Sequence, residues 1–444
     1  MAPASRIAIV GGGLAGLSAA AALASADYNV TLLEARPFLG GRATSYPLNT
    51  GEEPSPTIDN CQHVLLRCCT NLADFYSRLG VRDQIHFQRE FYWIEPGGRI
   101  SVMKRGLFPA PLHFTEWFAR LRFLSLSDKF SLASALLAIR YEYGKRNDLE
   151  RITMLDWLKE KKQTPRAIER FWRQVLVSAI NEDLERMAAS HGLQVFYLGF
   201  LSKANSYEMG VPSVPLENLY SNEIWSQYPN VNIIGRTPVK RVVIDGGQVT
   251  GLKTDSGFVN ADAYMLAVPF ERVDAIAPEL ALNYTQFSHS PITGIHLWFD
   301  RAITDLPNAT LLDRTIQWMF NKDSGRHIQL VVSASRTLTE LPRNEVIALA
   351  LDELRDFFPL VKEVKLERAH VVKELRATFS ATPNLEGYRP VSNTQFPNLF
   401  LAGDWTRSGW PATMEGAVRS GYLAAEQVTG FLGHRERFLL PDIA

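Results

Sequence analysis

Short apolar runs and helical stripes alternate at the start of the chain. Residues 6–10 form an apolar run that predicts a buried strand, and the Ala-rich residues 18–25 predict a helix. The segment NVTLLEA, residues 29–35, predicts a second strand. This order of elements is typical of a βαβ unit, in which the two strands lie parallel.

The pattern changes in the middle of the chain. From residue 99 to residue 213 the strand signal fades, and helical periodicity with many aromatic residues predicts a separate lobe. Between residues 232 and 269 the segments VKRVVID, VTGLKT and AYMLAVP, with turns at 246–247 and 255–257, predict a β-meander. Further strands are predicted at 293–299, 316–320, 328–333 and 398–404, and helices at 344–357 and 414–429.

Length and charge narrow the class of protein. A chain of 444 residues exceeds one ordinary hydrophobic core, so we expect two lobes that are interleaved in sequence. Lys plus Arg and Asp plus Glu both number 47, which argues against a nucleic-acid partner and leaves only local attraction to a membrane.

Cysteines and apolar runs bear on the compartment. Cys61, Cys68 and Cys69 are odd in number and not spaced as C-x-x-C pairs, which argues against a disulfide framework and a metal site. No apolar run reaches the ~18 residues of a spanning helix, and glycines interrupt the N-terminal apolar stretch that a secretory signal would need. We therefore predict a cytoplasmic protein.

A dinucleotide-binding motif lies between the first strand and helix. Gly11, Gly13 and Gly16 form G-x-G-x-x-G, which allows a tight turn, close approach of a pyrophosphate and close packing of helix and strand. Glu34 ends the second strand about 20 residues later, where an acidic residue binds ribose hydroxyls. The motif alone does not say which dinucleotide is bound.

Two longer stretches favour a flavin. EARPFLGGR, residues 34–42, extends the first site, and NLFLAGDWTRSGWPATMEGAVRSGYLAAE, residues 398–426, adds a second Gly-Asp turn before a helix. With these stretches the chain resembles the flavin-dependent amine oxidase and phytoene desaturase superfamily. The resemblance implies noncovalent FAD, because the stretch before the last helix has no cysteine. It implies the following cofactor contacts: Gly11, Gly13, Leu14, Ala15, Gly16, Glu34, Ala35, Arg36, Gly40, Gly41, Arg42, Val239, Gly403, Asp404, Met414, Glu415, Gly416 and Ala417.

The implied fold is α/β. A Rossmann-like FAD-binding domain of the glutathione-reductase type is expected to be interleaved with a mixed α+β substrate domain. We assign residues 1–95, 214–285 and 390–444 to the FAD-binding domain, and residues 96–213 and 286–389 to the substrate domain.

Within this superfamily, residues 59–81 and 403–426 resemble the hydroxysqualene dehydroxylases, flavoproteins of bacterial squalene and hopanoid synthesis. The family pattern has glycine where Cys61 stands and often at Arg67, so the loop backbone is expected to differ. The implied reaction replaces the hydroxyl of hydroxysqualene with hydrogen, by protonation of the leaving hydroxyl and hydride transfer from reduced flavin.

The stretch DNCQH supplies candidates for this chemistry. His63 is the candidate proton donor, Asp59 its orienting partner, and Gln62 or Asn60 the group that binds the hydroxyl. The alternative is a turn followed by a strand residue that lines FAD. Weaker polar candidates are His191, His296 and Glu208; aromatic residues that line a hydrocarbon tunnel or pack in the core are Phe196, Tyr197, Trp298, Trp318 and Trp410.

A water-insoluble substrate would require contact with a membrane. In residues 104–124, Phe114, Trp117, Phe118 and Leu121 have helical spacing and basic neighbours, which is typical of an interfacial helix on the inner face of the cytoplasmic membrane. Packing of this helix on its own lobe is the alternative.

Other functions remain open at this point. The first is a carotenoid or phytoene desaturase, and the second an amine oxidase or protoporphyrinogen oxidase. A third is a noncatalytic scaffold that binds flavin and lipid between squalene-pathway enzymes. Because no second G-x-G-x-x-G follows a strand, NAD(P)H is expected as a transient reductant rather than the ligand of its own domain.

Overall fold

The computed structural model describes residues 5–48 and 55–443, so residues 1–4, 49–54 and 444 of the predicted FAD-binding domain lie outside it. The strands are β1 (Arg6–Val10), β2 (Asn29–Leu33), β3 (Ser45–Pro47), β4 (Thr57–Asp59), β5 (Leu65–Leu66), β6 (Ile85–Gln88), β7 (Glu90–Glu95), β8 (Arg99–Lys104), β9 (Met209–Pro212), β10 (Val231–Ile234), β11 (Arg241–Asp245), β12 (Gln248–Thr254), β13 (Gly257–Val259), β14 (Ala263–Leu266), β15 (His289–Phe299), β16 (Asn308–Leu311), β17 (Trp318–Asp323), β18 (His327–Ser333), β19 (Leu366–Phe379) and β20 (Leu399–Leu401). The helices are α1 (Leu14–Ala24), α2 (Thr70–Arg78), α3 (Thr115–Ala119), α4 (Leu126–Glu142), α5 (Met154–Glu160), α6 (Pro165–Ala167), α7 (Arg173–Ile180), α8 (Ala189–Phe196), α9 (Asn222–Trp225), α10 (Phe270–Ile276), α11 (Arg336–Thr339), α12 (Arg343–Phe357) and α13 (Met414–Phe431).

A parallel sheet carries the dinucleotide motif. Its strand order is β10-β2-β1-β14-β20, with every pair parallel. Four of the five residues of β1 are buried, because the sheet is covered on both faces. The predicted βαβ unit and α/β class are confirmed, and the terminal helix α13 packs across α1.

The predicted meander is correct only for its first strands. β11, β12 and β13 form an antiparallel sheet, but β14 pairs in parallel with β1 and β20. All four residues of β14 are buried, whereas β12 alternates between buried and exposed positions. A strand without a polar face is stable only at the centre of a covered sheet, which explains why β14 leaves the meander.

The second large sheet forms the wall of the substrate lobe. Its order is β19-β15-β18-β17-β16-β7-β8. One face packs on α12 through an apolar cluster that includes Ile295, Leu330 and Leu354. β7 lies inside the range 1–95 and pairs with β8 and β16, so this sheet contains strands from both predicted domains. The domain bounds stay a prediction.

Helices α3 to α8 form the helical part of this lobe. Within the described ranges, no helix is both long and apolar enough to cross a membrane. Leu121 is fully buried, and Phe114, Trp117 and Phe118 pack against the core. These contacts favour the alternative in which the helix packs on its own lobe, and membrane contact through residues 104–124 stays a prediction.

Candidate active site

In the glycine-rich loop between β1 and α1, two glycines are too closely packed for a side chain, and a third has free space beside it. A Cβ atom on Gly11 would lie 2.4 Å from the Ala267 carbonyl oxygen, and one on Gly16 would lie 1.9 Å from the Gly11 carbonyl oxygen. Both positions need glycine for close packing of strand, loop and helix. A Cβ atom on Gly13 would meet nothing closer than Gly41 Cα at 3.9 Å, so this side of the loop has space.

The turn at Gly40 and Gly41 faces that space. Gly40 N donates to Gly12 O at 2.8 Å, and the φ angles of Gly40 and Gly41 are +94° and +64°, a region that favours glycine. Gly13 and Gly41 thus present two backbones without side chains at the start of α1. This arrangement fits a pyrophosphate bound at a helix N-terminus.

Glu34 is held at the end of β2 by two backbone amides. Gly12 N donates to one carboxylate oxygen at 2.6 Å and Arg36 N to the other at 2.8 Å. Thr237 N donates to Glu34 O at 2.8 Å, which brings the start of the β10–β11 loop to the same edge. The remaining predicted contacts near the cradle are Leu14 and Ala15 in the first turn of α1, Ala35 and Arg36 after β2, and Val239 in the β10–β11 loop.

Arg42 joins the N-terminal and C-terminal cofactor turns. Its guanidinium pairs with Asp404 at 2.7 Å and donates to Ala377 O at 2.8 Å. Asp404 follows Gly403 after the end of β20. A Cβ atom on Gly403 would lie 2.4 Å from Trp405 Nε1, so this turn needs glycine. Two predicted turns from opposite ends of the sequence therefore meet in a cleft of about 220 Å³.

Arg389 supports this cleft and is absent from the sequence prediction. Its side chain is 1% exposed and donates to Asp404 O at 2.9 Å and to Thr406 O at 2.5 Å. It also pairs with Glu386 at 2.7 Å. A single arginine outside any motif carries no sequence signal for this role, which becomes visible only from its burial.

The N-terminus of α13 reaches a second, mainly apolar cavity. Thr413 Oγ1 accepts from Gly416 N at 3.0 Å, and Met414 and Glu415 line the cavity. A Cβ atom on Gly416 would lie 2.5 Å from Pro411 O, so this turn also needs glycine. Ala417 follows it in the first turn of the helix.

The Glu415 carboxylate serves a different purpose from the predicted cofactor contact. It is buried and accepts from Leu72 N at 2.7 Å and from Asn71 Nδ2 at 2.9 Å, at the start of α2. The carboxylate thus satisfies the backbone amides of Asn71 and Leu72 in the first turn of α2, which lack partners within the helix. Because the carboxylate oxygens are engaged with α2, Glu415 can contact a cofactor only through its backbone and the methylene groups of its side chain.

The apolar cavity has a volume of about 230 Å³ and lies between the second sheet, α7, α8 and residues 62–69. This is far more than the ~10–15 Å³ that one water needs, so the cavity has room for an organic group. Its walls include Leu66, Phe91, Trp93, Val175, Phe200 and Trp318. The polar side chains that reach it include Gln62, Gln174 and Thr310.

The stretch DNCQH lies between the two lobes. Asp59 is buried and accepts from Ser45 Oγ at 2.7 Å and from Lys322 Nζ at 3.2 Å. Lys322 Nζ also donates to Gln62 Oε1 at 3.2 Å. Asp59 thus connects β4 to β17, and Gln62 reaches the cavity.

The neighbouring residues of this stretch are less suited to donate a proton. His63 Nδ1 lies 3.2 Å from Cys61 O, and burial lowers the pKa of His63. Burial raises the pKa of Cys61 to about 12, so that its thiol is protonated at neutral pH. Cys61 has a φ of +69°, a region that favours glycine. Among the described residues, Gln62 and Val64 line the cavity, but His63 does not.

The weaker candidates are dispersed. Glu208 pairs with Arg67 at 2.6 Å, and burial lowers the pKa of both His191 and His296. Of the five predicted aromatic residues, Trp318 and Trp410 line the cavity. Phe196 packs on Trp172, Tyr197 on Tyr143, and Trp298 on His327.

Known proteins share this architecture over nearly the whole chain. A hydroxysqualene dehydroxylase of Zymomonas mobilis subsp. mobilis is 27% identical over 431 residues, which cover 94% of this chain and 97% of that protein. A zeta-carotene desaturase of Synechocystis sp. is 24% identical over 478 residues, covering 95% and 97%. The solved structure of a putrescine oxidase bound to putrescine matches with a TM-score of 0.71 at 15% identity, covering 96% of this chain and 99% of that one. The last likeness concerns the fold alone.

The family model for flavin containing amine oxidoreductases matches residues 14–429. Its cofactor fits the residues described above: the Gly13–Gly41 cradle has space for a pyrophosphate, Glu34 lies where ribose binds, and the α13 N-terminus adjoins the apolar cavity. The chain therefore belongs to the flavin containing amine oxidoreductases, with FAD as its cofactor.

Proposed function

We propose that this oxidoreductase converts hydroxysqualene to squalene by reductive dehydroxylation. The C–O bond breaks, the oxygen leaves as water after gaining a proton, and the carbon gains a hydride. FAD, when bound in its reduced form, supplies that hydride with its two electrons. The near full-length similarity to a protein named hydroxysqualene dehydroxylase supports this choice.

The observation that carries the proposal is a pair of unpartnered polar atoms on an apolar cavity. Thr310 Oγ1 and Gln174 Oε1 are buried and have no hydrogen-bond partner among the described residues, and both side chains line the cavity. A buried polar atom without a partner costs about 1–3 kcal/mol. A hydrocarbon cannot satisfy these atoms, whereas a long isoprenoid with one hydroxyl group can.

Gln62, in the stretch DNCQH, provides a further polar group for a substrate hydroxyl. Because Gln62 Oε1 accepts from Lys322 Nζ, its amide nitrogen remains as a donor to a substrate hydroxyl. Lys322 and Asp59 position this side chain rather than contacting the substrate. The assignment of His63 as proton donor stays a prediction, and the lowered pKa argues against a charged imidazole at neutral pH.

The apolar cavity walls contribute to the proposed reaction in two ways. Apolar and aromatic side chains exclude water from a carbon that loses its hydroxyl, and aromatic faces stabilise positive charge. Trp318 is fixed for this purpose, because its Nε1 donates to Ser178 Oγ at 2.6 Å.

A second candidate is desaturation of a carotenoid precursor. It is favoured by the largely apolar lining and by the similarity to a zeta-carotene desaturase at almost the same coverage. This reaction removes two hydrogens from a hydrocarbon and needs oxidised FAD with an electron acceptor.

Two parallel assays distinguish the candidates. The FAD-loaded protein is incubated anaerobically with dithionite and hydroxysqualene, and separately, oxidised, with phytoene and a quinone; extracted lipids are analysed by mass spectrometry. We expect squalene in the first assay and unchanged phytoene in the second. Desaturated phytoene without squalene would replace the proposal with a desaturase, and no product in either assay would replace it with a flavin- and lipid-binding scaffold.

A further inference from the structure

Helix α4 has an apolar face that the described part of the chain does not cover. Its inner face is buried through Leu132, Ala135 and Ile139. Its outer face carries large apolar side chains at intervals of four, seven and four residues, with the following exposures: Leu126 74%, Phe130 77%, Leu137 56% and Tyr141 69%. A helix in water normally has a polar outer face, so this second stripe is unusual.

A neighbouring loop carries more exposed apolar side chains. Leu107 is 95% exposed, Phe108 54% and Leu112 58%. The ends of the loop are fixed, since Gly106 N donates to His113 O at 2.7 Å and Arg105 N to Tyr207 Oη at 2.9 Å.

The loop and α4 flank the short helix α3. The loop leads into α3, and Lys129 Nζ of α4 donates to Ala119 O at the end of α3 at 2.6 Å. We call these seven exposed residues of the loop and α4 the α4 surface. It is an apolar patch of the kind that marks an interaction site.

The charge around the α4 surface is positive although the chain has no net charge. Residues 101–145 contain seven basic side chains: Lys104, Arg105, Arg120, Arg122, Lys129, Arg140 and Lys145. The same segment has three acids, and each has a cationic or hydrogen-bonding partner: Glu116 with Arg120, Asp128 with Ser125, and Glu142 with Lys161. Lys104 pairs with Glu90, but Arg105, Arg122, Lys129, Arg140 and Lys145 have no carboxylate partner among the described residues. Apolar side chains beside unpaired Lys and Arg are the composition of a surface that binds anionic bilayers.

The α4 surface lies behind the aromatic wall of the apolar cavity. Phe114, which precedes α3, packs on Phe200 with ring centroids 6.1 Å apart. Phe200 in turn packs on Phe91 at 6.3 Å, and both line the cavity. An aromatic layer therefore joins Phe114, beside the exposed loop, to the cavity wall.

We propose that the α4 surface docks on an anionic lipid bilayer, with its apolar side chains in the interfacial region and its basic side chains at the headgroups. The residues differ from Phe114, Trp117, Phe118 and Leu121, whose spacing predicts an interfacial helix but which pack inward. The docking does not depend on which lipid is the substrate.

The test uses full-length FAD-loaded protein and vesicles without isoprenoids. Binding is measured by co-sedimentation with vesicles of phosphatidylcholine alone and with phosphatidylglycerol added. We expect binding to the anionic vesicles that weakens with salt and falls at least ten-fold in the double variant F130S/L137S. The matched control is F258S/L375S, because Phe258 is 62% exposed and Leu375 58% exposed outside the α4 surface.

Three results would overturn the proposal. One is equal binding of the wild type and F130S/L137S; another is an equal loss in F258S/L375S. The third is a wild-type dimer, detected by analytical ultracentrifugation without lipid, that F130S/L137S disrupts, since the surface would then bind a second copy of the chain. FAD retention and melting temperature verify that each variant is folded.

Discussion

At the scale of single residues, the unpartnered polar atoms of the apolar cavity are the features that bear most directly on the substrate. Thr310 is 1% exposed and lies on β16, and Gln174 is 8% exposed and lies in α7. Their burial lowers the stability of the protein without substrate. Such a cost is expected where side chains serve a ligand rather than the fold.

Thr310→Val keeps the side-chain shape and removes the hydroxyl. We expect kcat/KM for hydroxysqualene to fall about ten-fold, the equivalent of one lost hydrogen bond of about 1.4 kcal/mol. The free energy of unfolding should stay unchanged or rise, because an unpartnered buried hydroxyl disappears. Steady-state kinetics and urea denaturation measure the two quantities.

The control is the same substitution at Thr293, which lies on the same sheet. Thr293 Oγ1 donates to Ser335 Oγ at 2.9 Å, so Thr293→Val should lower stability and leave kcat/KM nearly unchanged. If Thr310→Val destabilises the protein and leaves kcat/KM intact, Thr310 has no role in binding the hydroxyl.

His113 gives a pH dependence to stability. Its ring is fully buried, and burial together with the charge of Arg105 lowers its pKa to about 4. Between pH 6.5 and 4 the unfolded chain binds a proton that the folded protein does not, so the free energy of unfolding falls as the pH decreases. The full effect is about 3 kcal/mol.

His113→Leu should remove this part of the pH dependence. Denaturation at a series of pH values measures it as the difference between variant and wild type. Phe114→Leu is the control, because it removes the neighbouring aromatic ring without removing a titratable group. Parallel curves for His113→Leu and the wild type would contradict the account.

At the scale of elements, the crossing of α1 and α13 holds both ends of the cofactor site together. A Cβ atom on Gly421 would lie 2.3 Å from both Ala15 O and Ser18 Oγ. Ser18 Oγ also donates to Val418 O at 3.3 Å. The two helices therefore touch backbone to backbone, next to the first turn that follows the glycine-rich loop.

Gly421→Ala should separate these helices. We expect a loss of about 1–3 kcal/mol in the free energy of unfolding from overpacking, and weaker FAD binding because the start of α1 moves. Calorimetry and FAD titration measure these effects. Gly430→Ala, in the same helix, meets nothing closer than Arg435 Cγ at 3.8 Å and should be neutral or stabilising. Equal effects of the two substitutions would exclude the crossing as the cause.

The sequence predicts correctly those elements that are determined by their own local residue pattern. β1, the glycine-rich loop and α13 follow from local apolar periodicity and glycine spacing, and α12 begins at Arg343, one residue before its predicted start. The pairing partners of β14 and β7 depend on distant strands. Local patterns carry no information on that choice, which explains the error in the predicted meander.

The residues of the candidate site also differ in how far the sequence alone could identify them. Gly13, Gly41 and Asp404 belong to contiguous motifs and could be found from the sequence. Lys322 and Arg389 act through contacts with Asp59 and with the 404–406 turn, from distant parts of the chain. Phe114 and Trp117 have the spacing of an interfacial helix, but spacing alone does not tell which face the core covers.

At the scale of the whole molecule, polar contacts join the two lobes at the site. Asp59 connects to Lys322 at 3.2 Å, and Arg42 connects to Ala377 O at 2.8 Å. The cofactor cradle lies in one lobe and the apolar cavity reaches the other. A reaction between FAD and a long lipid therefore requires both lobes in this arrangement.

The most direct test of this account is an anaerobic single turnover. Bound FAD is reduced, excess reductant is removed, and hydroxysqualene is added in vesicles while the flavin absorbance is followed and squalene is quantified in the same sample. The account predicts one squalene formed for each FAD reoxidised. Reduced FAD that persists after addition, or reoxidation without squalene, would contradict it.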